Sequence, residues 1–216
     1  MALPGSRTAR GAGVAGVAVD LYRTKPWILA RLDGVVAALD RAGVSPDAVT
    51  LAAIPLALAG GGLLLLSPTL PLVLFAIPLV AAARLVLNLL DGALARRTRR
   101  IHPRGELYNE LADRVADIAL LAPVAFLPGA QRETVLLGVV GALFASYAGV
   151  AAKAAGAARL YRGVLSKPGR MALLAVFAIA VLVAGDGAWI AFGPILLAGT
   201  VLTAIERIAA GIRALP

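Results

Sequence analysis

Residues 84–117 read R-L-V-L-N-L-L-D-G-A-L-A-R-R-T-R-R-I-H-P-R-G-E-L-Y-N-E-L-A-D-R-V-A-D. The stretch joins the end of one long apolar run to the start of another through an arginine-rich break. Arg84, Asn88 and Asp91 follow one another at spacings of four and three, and Asn109, Asp113 and Asp117 at spacings of four. Such spacings put side chains on one face of a helix. An ionisable group inside a hydrocarbon-length segment costs about 2.5–3.5 kcal/mol on insertion scales, so a chain keeps such groups where they line a polar cavity.

The composition supports the membrane setting. The chain has 216 residues, of which 60% are hydrophobic and only 15% charged. A soluble domain is nearer 45–50% apolar and about 25% charged. The expected class is therefore an all-α integral membrane protein. Its 21 Lys and Arg exceed its 12 Asp and Glu, for a net charge of +9. In a membrane protein that excess sets orientation and meets anionic head groups. No aromatic platform sits beside a basic run, which argues against nucleic acid as a partner. With no cysteine there is neither a disulfide framework nor a thiolate metal site. Arg7 and Arg10 precede the apolar run Gly11 to Val19, but Asp20 follows without a cleavage context, so this run does not read as a signal peptide.

A spanning helix needs about 20 mostly apolar residues. Six are expected: Ala48 to Leu66, Leu72 to Arg96, Gly105 to Pro128, Thr134 to Ala155, Met171 to Ala184 and Trp189 to Ile208. Before them, Ile28, Leu32, Val35, Val36 and Leu39 recur at helical spacing, with Arg31, Asp33 and Asp40 off that face. That pattern predicts an amphipathic helix lying on the membrane interface, with Trp27 at head-group depth. The expected division is therefore an interfacial segment, residues 1–47, and a six-helix transmembrane domain, residues 48–216. Ser45-Pro46-Asp47 suits the start of the first span. Basic residues gather before that span (Arg7, Arg10, Arg23, Lys25, Arg31, Arg41), in the second-to-third loop (Arg97, Arg99, Arg100, Arg104), in the fourth-to-fifth loop (Arg159, Arg162, Lys167, Arg170) and at the C-terminus (Arg207, Arg213). Arg132 stands alone on the opposite side. The positive-inside rule then places both termini in the cytoplasm. The expected location is a cell membrane of bacterial type.

The short loop makes the second and third spans antiparallel neighbours. At matched depth Asp91 lies near Asn109, Asn88 near Asp113 and Arg84 near Asp117. The first two levels sit close to the cytoplasmic surface, so the cavity opens there. Four oxygen-bearing side chains, Asn88, Asp91, Asn109 and Asp113, suit a hard dication such as Mg2+ or Mn2+. Gly92 allows close approach to the helix backbone. Arg96 is placed to hold a phosphate oxygen, and Gly105 marks a helix start whose N–H groups favour anions. These parts describe a diphosphate and metal site. Arg84 with Asp117, and Glu110 with Arg114, read as structural ion pairs. Asp91 and Asp113 do not, because both are acidic and no unclaimed cation is in register.

Asn88 to Asp113 resembles the signature of the CDP-alcohol phosphotransferases, D-x-x-D-G-x-x-A-R-(eight residues)-G-x-x-x-D-x-x-x-D. Asn88, Asp91-Gly92, Ala95-Arg96, Gly105, Asn109 and Asp113 stand at that spacing, and six of its eight named positions match. Ser45-Pro46 and Thr50 before the first span also look like this family. The resemblance implies transfer of a phosphatidyl-type group from a CDP-linked lipid donor, such as CDP-diacylglycerol, to a small or lipid alcohol, with release of CMP. It implies Asp113 as general base and metal ligand, and Asp91 as metal ligand. Gly92, Ala95, Arg96 and Gly105 would surround the cytidine diphosphate. Arg162, Lys167 and Arg170 are candidates for an acceptor or lipid phosphate. A homodimer is implied too, with Gly138, Gly141, Ala145 and Gly149 as a close-packing face.

Two positions depart from the pattern. Asn88 and Asn109 stand where the family has Asp, so four carboxylates become two. Either one metal suffices, or Asp117 or Glu110 supplies a substitute carboxylate, or the chain is a weakened or inactive homologue that binds lipid or nucleotide. A transporter is the remaining class. It would carry polar residues through the outer halves of several spans, which here are nearly all Leu, Ala, Val, Gly and Pro.

Overall fold

Proline and small polar residues set the helix starts. The Ser45 hydroxyl accepts the Ala48 N–H at 3.1 Å and Pro46 follows in the first turn. His102 does the same two helices later, its Nδ1 accepting the Gly105 N–H at 2.9 Å ahead of Pro103. In the computed structural model, which describes residues 25–215, every regular element among the described residues is helical. The α-helices are α1 (Lys25–Arg41), α2 (Pro46–Leu66), α3 (Ala76–Arg97), α4 (Pro103–Leu121), α5 (Arg132–Ala154), α6 (Lys167–Ala184) and α7 (Phe192–Ala214). Short 3-10 turns, Pro71–Phe75, Ala122–Phe126 and Asp186–Ala191, lead into α3, out of α4 and into α7.

Among the described residues, five helical stretches are long and apolar enough to cross a membrane: Pro46–Leu66, Pro71–Arg97, Arg132–Ala154, Lys167–Ala184 and Asp186–Ala214. They match five of the six expected spans to within a few residues, apart from α7, which continues further. α4 falls outside that set. It carries Arg104, Glu106, Glu110, Asp113, Arg114 and Asp117, the last of them on the face turned to its neighbours. The exterior is apolar, with Leu79 71% and Val183 84% exposed. Such a surface is lipid-facing, and the chain is an integral membrane protein.

α2 lies against both α3 and α4, α3 against α6, and α5 against α7. The main core joins Leu64, Leu120, Leu121, Leu174, Trp189 and Phe192, all fully buried. Trp189 and Phe192 meet edge to face at 5.6 Å. Several contacts are close enough to require glycine, two of them between long helices that pack side by side. A Cβ on Gly61 of α2 would stand 2.2 Å from the Ala119 carbonyl oxygen of α4, and one on Gly141 of α5 would stand 2.4 Å from Thr200 Oγ1 of α7. The small-residue face of α5 expected to serve a homodimer is therefore occupied within the chain. Gly138 meets Leu196 and Gly149 meets the Leu160 carbonyl.

α1 docks on α3. Val36 is buried beside Val49, Leu90 and Leu94, with Leu32 and Leu39 packed around them, while Val35 stays 45% exposed. The polar side of α1 is tied down by Arg97, which reaches Asp40 at 3.1 Å and Asp33 at 3.5 Å. Arg7, Arg10, Arg23 and the run Gly11 to Val19 lie outside the described residues, as do the side chains of Trp27 and Ile28.

Candidate functional site

Asp91 sits near the end of α3, 6% exposed, with its carboxylate held by neutral donors. Thr50 Oγ1 of α2 donates to Asp91 Oδ2 at 2.8 Å, and Asn109 Nδ2 of α4 donates to the same oxygen at 2.9 Å. Two turns deeper Arg84 is fully buried. Its Nη2 lies 2.8 Å from Asp117 Oδ1 and donates to the Asp113 carbonyl at 3.0 Å. Two of the three expected levels are thus in direct contact. At the third, Asn88 and Asp113 line one cavity together with Asp91, Gly92 and Asn109.

That cavity, of about 380 Å³, is bounded on its far side by residues from α5, α6, α7 and the loop between α5 and α6. Lys167, at the start of α6, forms an ion pair with Asp113, and both side chains are largely buried. A cation is therefore in register with Asp113, contrary to the reading of the motif alone. It comes from a helix that the α3–α4 hairpin does not predict. Arg170 donates to Asp117 Oδ2 at 2.7 Å and to the Leu165 carbonyl at 3.0 Å. Asp117 is thereby clamped between two guanidinium groups. Arg162 is exposed and does not line the cavity, and its carbonyl accepts from Arg207.

The remaining motif residues lie at the rim. Arg96 is exposed, and its Nη1 would lie 3.4 Å from a Cβ on Gly92, so its head folds back over the glycine. Ala95 is half-buried and outside the cavity lining. Gly105 is engaged in a different way than an anion-binding helix start. Its N–H is capped by His102, and a Cβ there would stand 3.1 Å from Asp47 Oδ1. His102 Nε2 lies 3.4 Å from Asp47 Oδ2, which links the starts of α2 and α4.

No family model matches the chain. Over 163 residues it is 32% identical to the inner membrane protein YnbA of Escherichia coli, spanning 76% of this chain and 81% of that protein. Over 163 residues it is 30% identical to the archaetidylinositol phosphate synthase of Aeropyrum pernix, spanning 74% and 80%. The chain belongs to the CDP-alcohol phosphotransferases. The fold of this CDP-alcohol phosphotransferase matches solved structures of the phosphatidylinositol phosphate synthase of Mycobacterium tuberculosis. The TM-score is 0.68 to the form with CDP-DAG bound, at 23% identity over 82% of this chain and 92% of that one. It is 0.70 to the complex with manganese and citrate, at 22% identity over 83% and 88%.

Three features of this CDP-alcohol phosphotransferase site had no signal in the motif. Arg159 pairs with Glu110 and lies 3.8 Å from Glu106, pinning the α5–α6 loop to α4. Glu110 also takes the expected pair with Arg114. Arg207, read from sequence as a topogenic charge, is 8% exposed inside the bundle. It donates to the Arg162 and Ala145 carbonyls at 2.8 Å each and to the Tyr161 carbonyl at 3.0 Å. Thr50 had a family likeness but no assigned task. Its hydroxyl is the α2 contribution to Asp91.

Proposed function

We propose that this CDP-alcohol phosphotransferase moves a phosphatidyl-type group from a CDP-linked lipid, CDP-diacylglycerol in the first place, to a small or lipid alcohol, releasing CMP. The observation that carries the reading is the shared cavity of Asp91 and Asp113, walled on one side by carboxylates and amides and on the other by Lys167 and Arg159. An anionic diphosphate finds both signs of partner there. Archaetidylinositol phosphate synthase, by its name, makes a lipid of the same kind.

The donor set fits a hard dication, Mg2+ or Mn2+. The carboxylates of Asp91 and Asp113 and the amide oxygens of Asn88 and Asn109 would hold it. Among the described residues no three His, Cys, Asp or Glu side chains are placed to hold an ion by themselves, so the two amides complete the set. When bound, the ion neutralises diphosphate oxygens and the charge that develops on departing CMP. The protein's own part is positional and protolytic. Asp113 takes the hydroxyl proton of the acceptor as its oxygen bonds to the lipid-side phosphorus. The bond from that phosphorus to the bridging oxygen breaks, and CMP leaves with the electron pair. Lys167 and Arg159 draw the diphosphate into place, and Arg96 covers Gly92 at the rim. Asp117 is structural in this reading, and Arg170 serves it.

In the same reading α4 is the remaining span, with Asp113, Arg114 and Asp117 turned to the cavity, one face packed on α2, and Leu107, Leu111, Val115 and Ile118 turned to lipid. Residues 1–47 form the interfacial segment, residues 48–216 the catalytic body, and both termini and the cavity face the cytoplasm. A homodimer belongs to the reading, formed through a surface other than the α5 face already covered by α7.

CMP release from CDP-diacylglycerol with a panel of alcohols, read by chromatography with mass spectrometry of the lipid product, tests the activity. Wild type is expected to release CMP only with a dication, and Asp113→Ala to lower the rate at least a hundredfold. Equal release by the two chains would defeat the assignment.

A further inference from the structure

We infer that this enzyme binds one dication per chain, and that Lys167 supplies opposite Asp113 the positive charge that a second ion would bring. The inference rests on the function proposed above and concerns the number of ions its site takes.

The substitute carboxylates are already engaged by arginines. Asp117 is 1% exposed and is shared between Arg84 and Arg170 at 2.8 and 2.7 Å. Glu110 is shared between Arg114 and Arg159. Only Asp91 and Asp113 remain to meet an ion. Between them the chain has already resolved the repulsion that a pair of facing carboxylates would create. Asn109 turns an N–H toward Asp91, and Thr50 adds a second donor to the same oxygen. An amide against a carboxylate is satisfied by itself, so nothing between α3 and α4 calls for a further cation.

The charge balance points the same way. Five cationic side chains (Arg114, Arg159, Lys167, Arg170 and Arg207) line the cavity, against the three carboxylates of Asp91, Asp113 and Asp117, and Arg84 and Glu110 behind them add one charge of each sign. A diphosphate diester brings one negative charge on each phosphate, which that positive excess already meets. One dication leaves a modest surplus, whereas two would crowd like charges into a space of about 380 Å³. Lys167 also occupies the Asp113 oxygen that a second ion would need. An ammonium and a dication on one carboxylate oxygen repel.

The probe is Mn2+, titrated into the full-length purified chain in detergent with CDP present. Free Mn2+ is counted by electron paramagnetic resonance and bound Mn2+ by equilibrium dialysis. Wild type is expected to bind one ion per chain. The triple variant Asn88→Asp, Asn109→Asp, Lys167→Met, checked for a monodisperse folded peak, is expected to bind two. A count of two or of none in wild type overturns the inference. So does a count of one in both chains, which would remove these three positions as the cause. CMP release on the same samples separates the two readings. Mn2+-dependent release by wild type keeps the proposed function standing whatever the count, and no release brings both down.

Discussion

Asp91 is oriented before any substrate arrives. Thr50 and Asn109 fix one of its oxygens from two different helices, and outer partners of this kind typically govern metal affinity by about 10–100-fold. Thr50→Val keeps the shape of the side chain and removes the donor. It is expected to weaken Mn2+ binding by about tenfold or more, measured by titration, with the helical circular dichroism unchanged. An unaltered affinity would show that Asn109 alone positions the carboxylate. At this scale the sequence was readable where both partners lie on α3 and α4. A helical period and a short loop match Asp91 with Asn109 and Arg84 with Asp117 without further information. Lys167 was not readable in the same way. It stands 54 residues from Asp113, and periodicity within one helix does not say which other helix packs beside it. Arg207 misled for a related reason. A basic residue near the end of an apolar run has the same sequence signature whether it faces head groups or the carbonyls of a folded loop.

Among elements, the contact of α2 with α4 carries the site, because it sets the height of Thr50 against Asn109. Gly61 is the point of closest approach, with no room for a Cβ beside the Ala119 carbonyl, whereas the neighbouring Gly62 faces open space. Gly61→Leu is therefore expected to lose about 1–3 kcal/mol or more through overpacking, and Gly62→Leu to be neutral or slightly stabilising through helix propensity. Thermal unfolding of the two variants in one detergent compares them directly. If both melt together, α2 and α4 are not packed as described. The start of α2 was legible because Ser45-Pro46-Asp47 punctuates it, whereas the cap of α4 at His102-Pro103 was passed over for Gly105 two residues on. The destination of small-residue faces was not legible. Gly138, Gly141 and Gly149 have the pattern of a helix–helix contact, and the pattern is the same within a chain as between two chains. α4 was legible as a helix by its spacing and exceptional as a span by its charges, and both follow from one cause, the cavity it lines.

The whole molecule has an asymmetry that its lack of cysteine makes easy to examine. Single cysteines can be introduced on a silent background. Arg100→Cys and Ala155→Cys, in the loops after α3 and α5, are expected to react with an impermeant maleimide in inside-out vesicles. Thr69→Cys and Gln131→Cys, in the loops after α2 and α4, are expected to react in right-side-out vesicles. All four positions are exposed. If Gln131→Cys and Arg100→Cys label from one side, α4 does not cross and the cavity is not reached from the cytoplasm. The overall class followed from composition, and the orientation expected from the distribution of Arg and Lys is what the labelling tests. The depth and walls of the cavity did not, since they depend on α5, α6 and α7 closing around a hairpin.

The three bonds from Arg207 to the loop between α5 and α6 have a consequence for biogenesis. During synthesis α7 leaves the ribosome after the six other helices, so the anchor for the loop bearing Arg159 arrives when the α3–α4 hairpin is already in the bilayer. Until that moment the wall bearing Arg159 and Tyr161 lacks its tie to the bundle. A nascent chain of this kind brings the Asp91 and Asp113 walls of its cavity together before the wall opposite is fixed, and that wall waits on a single late guanidinium.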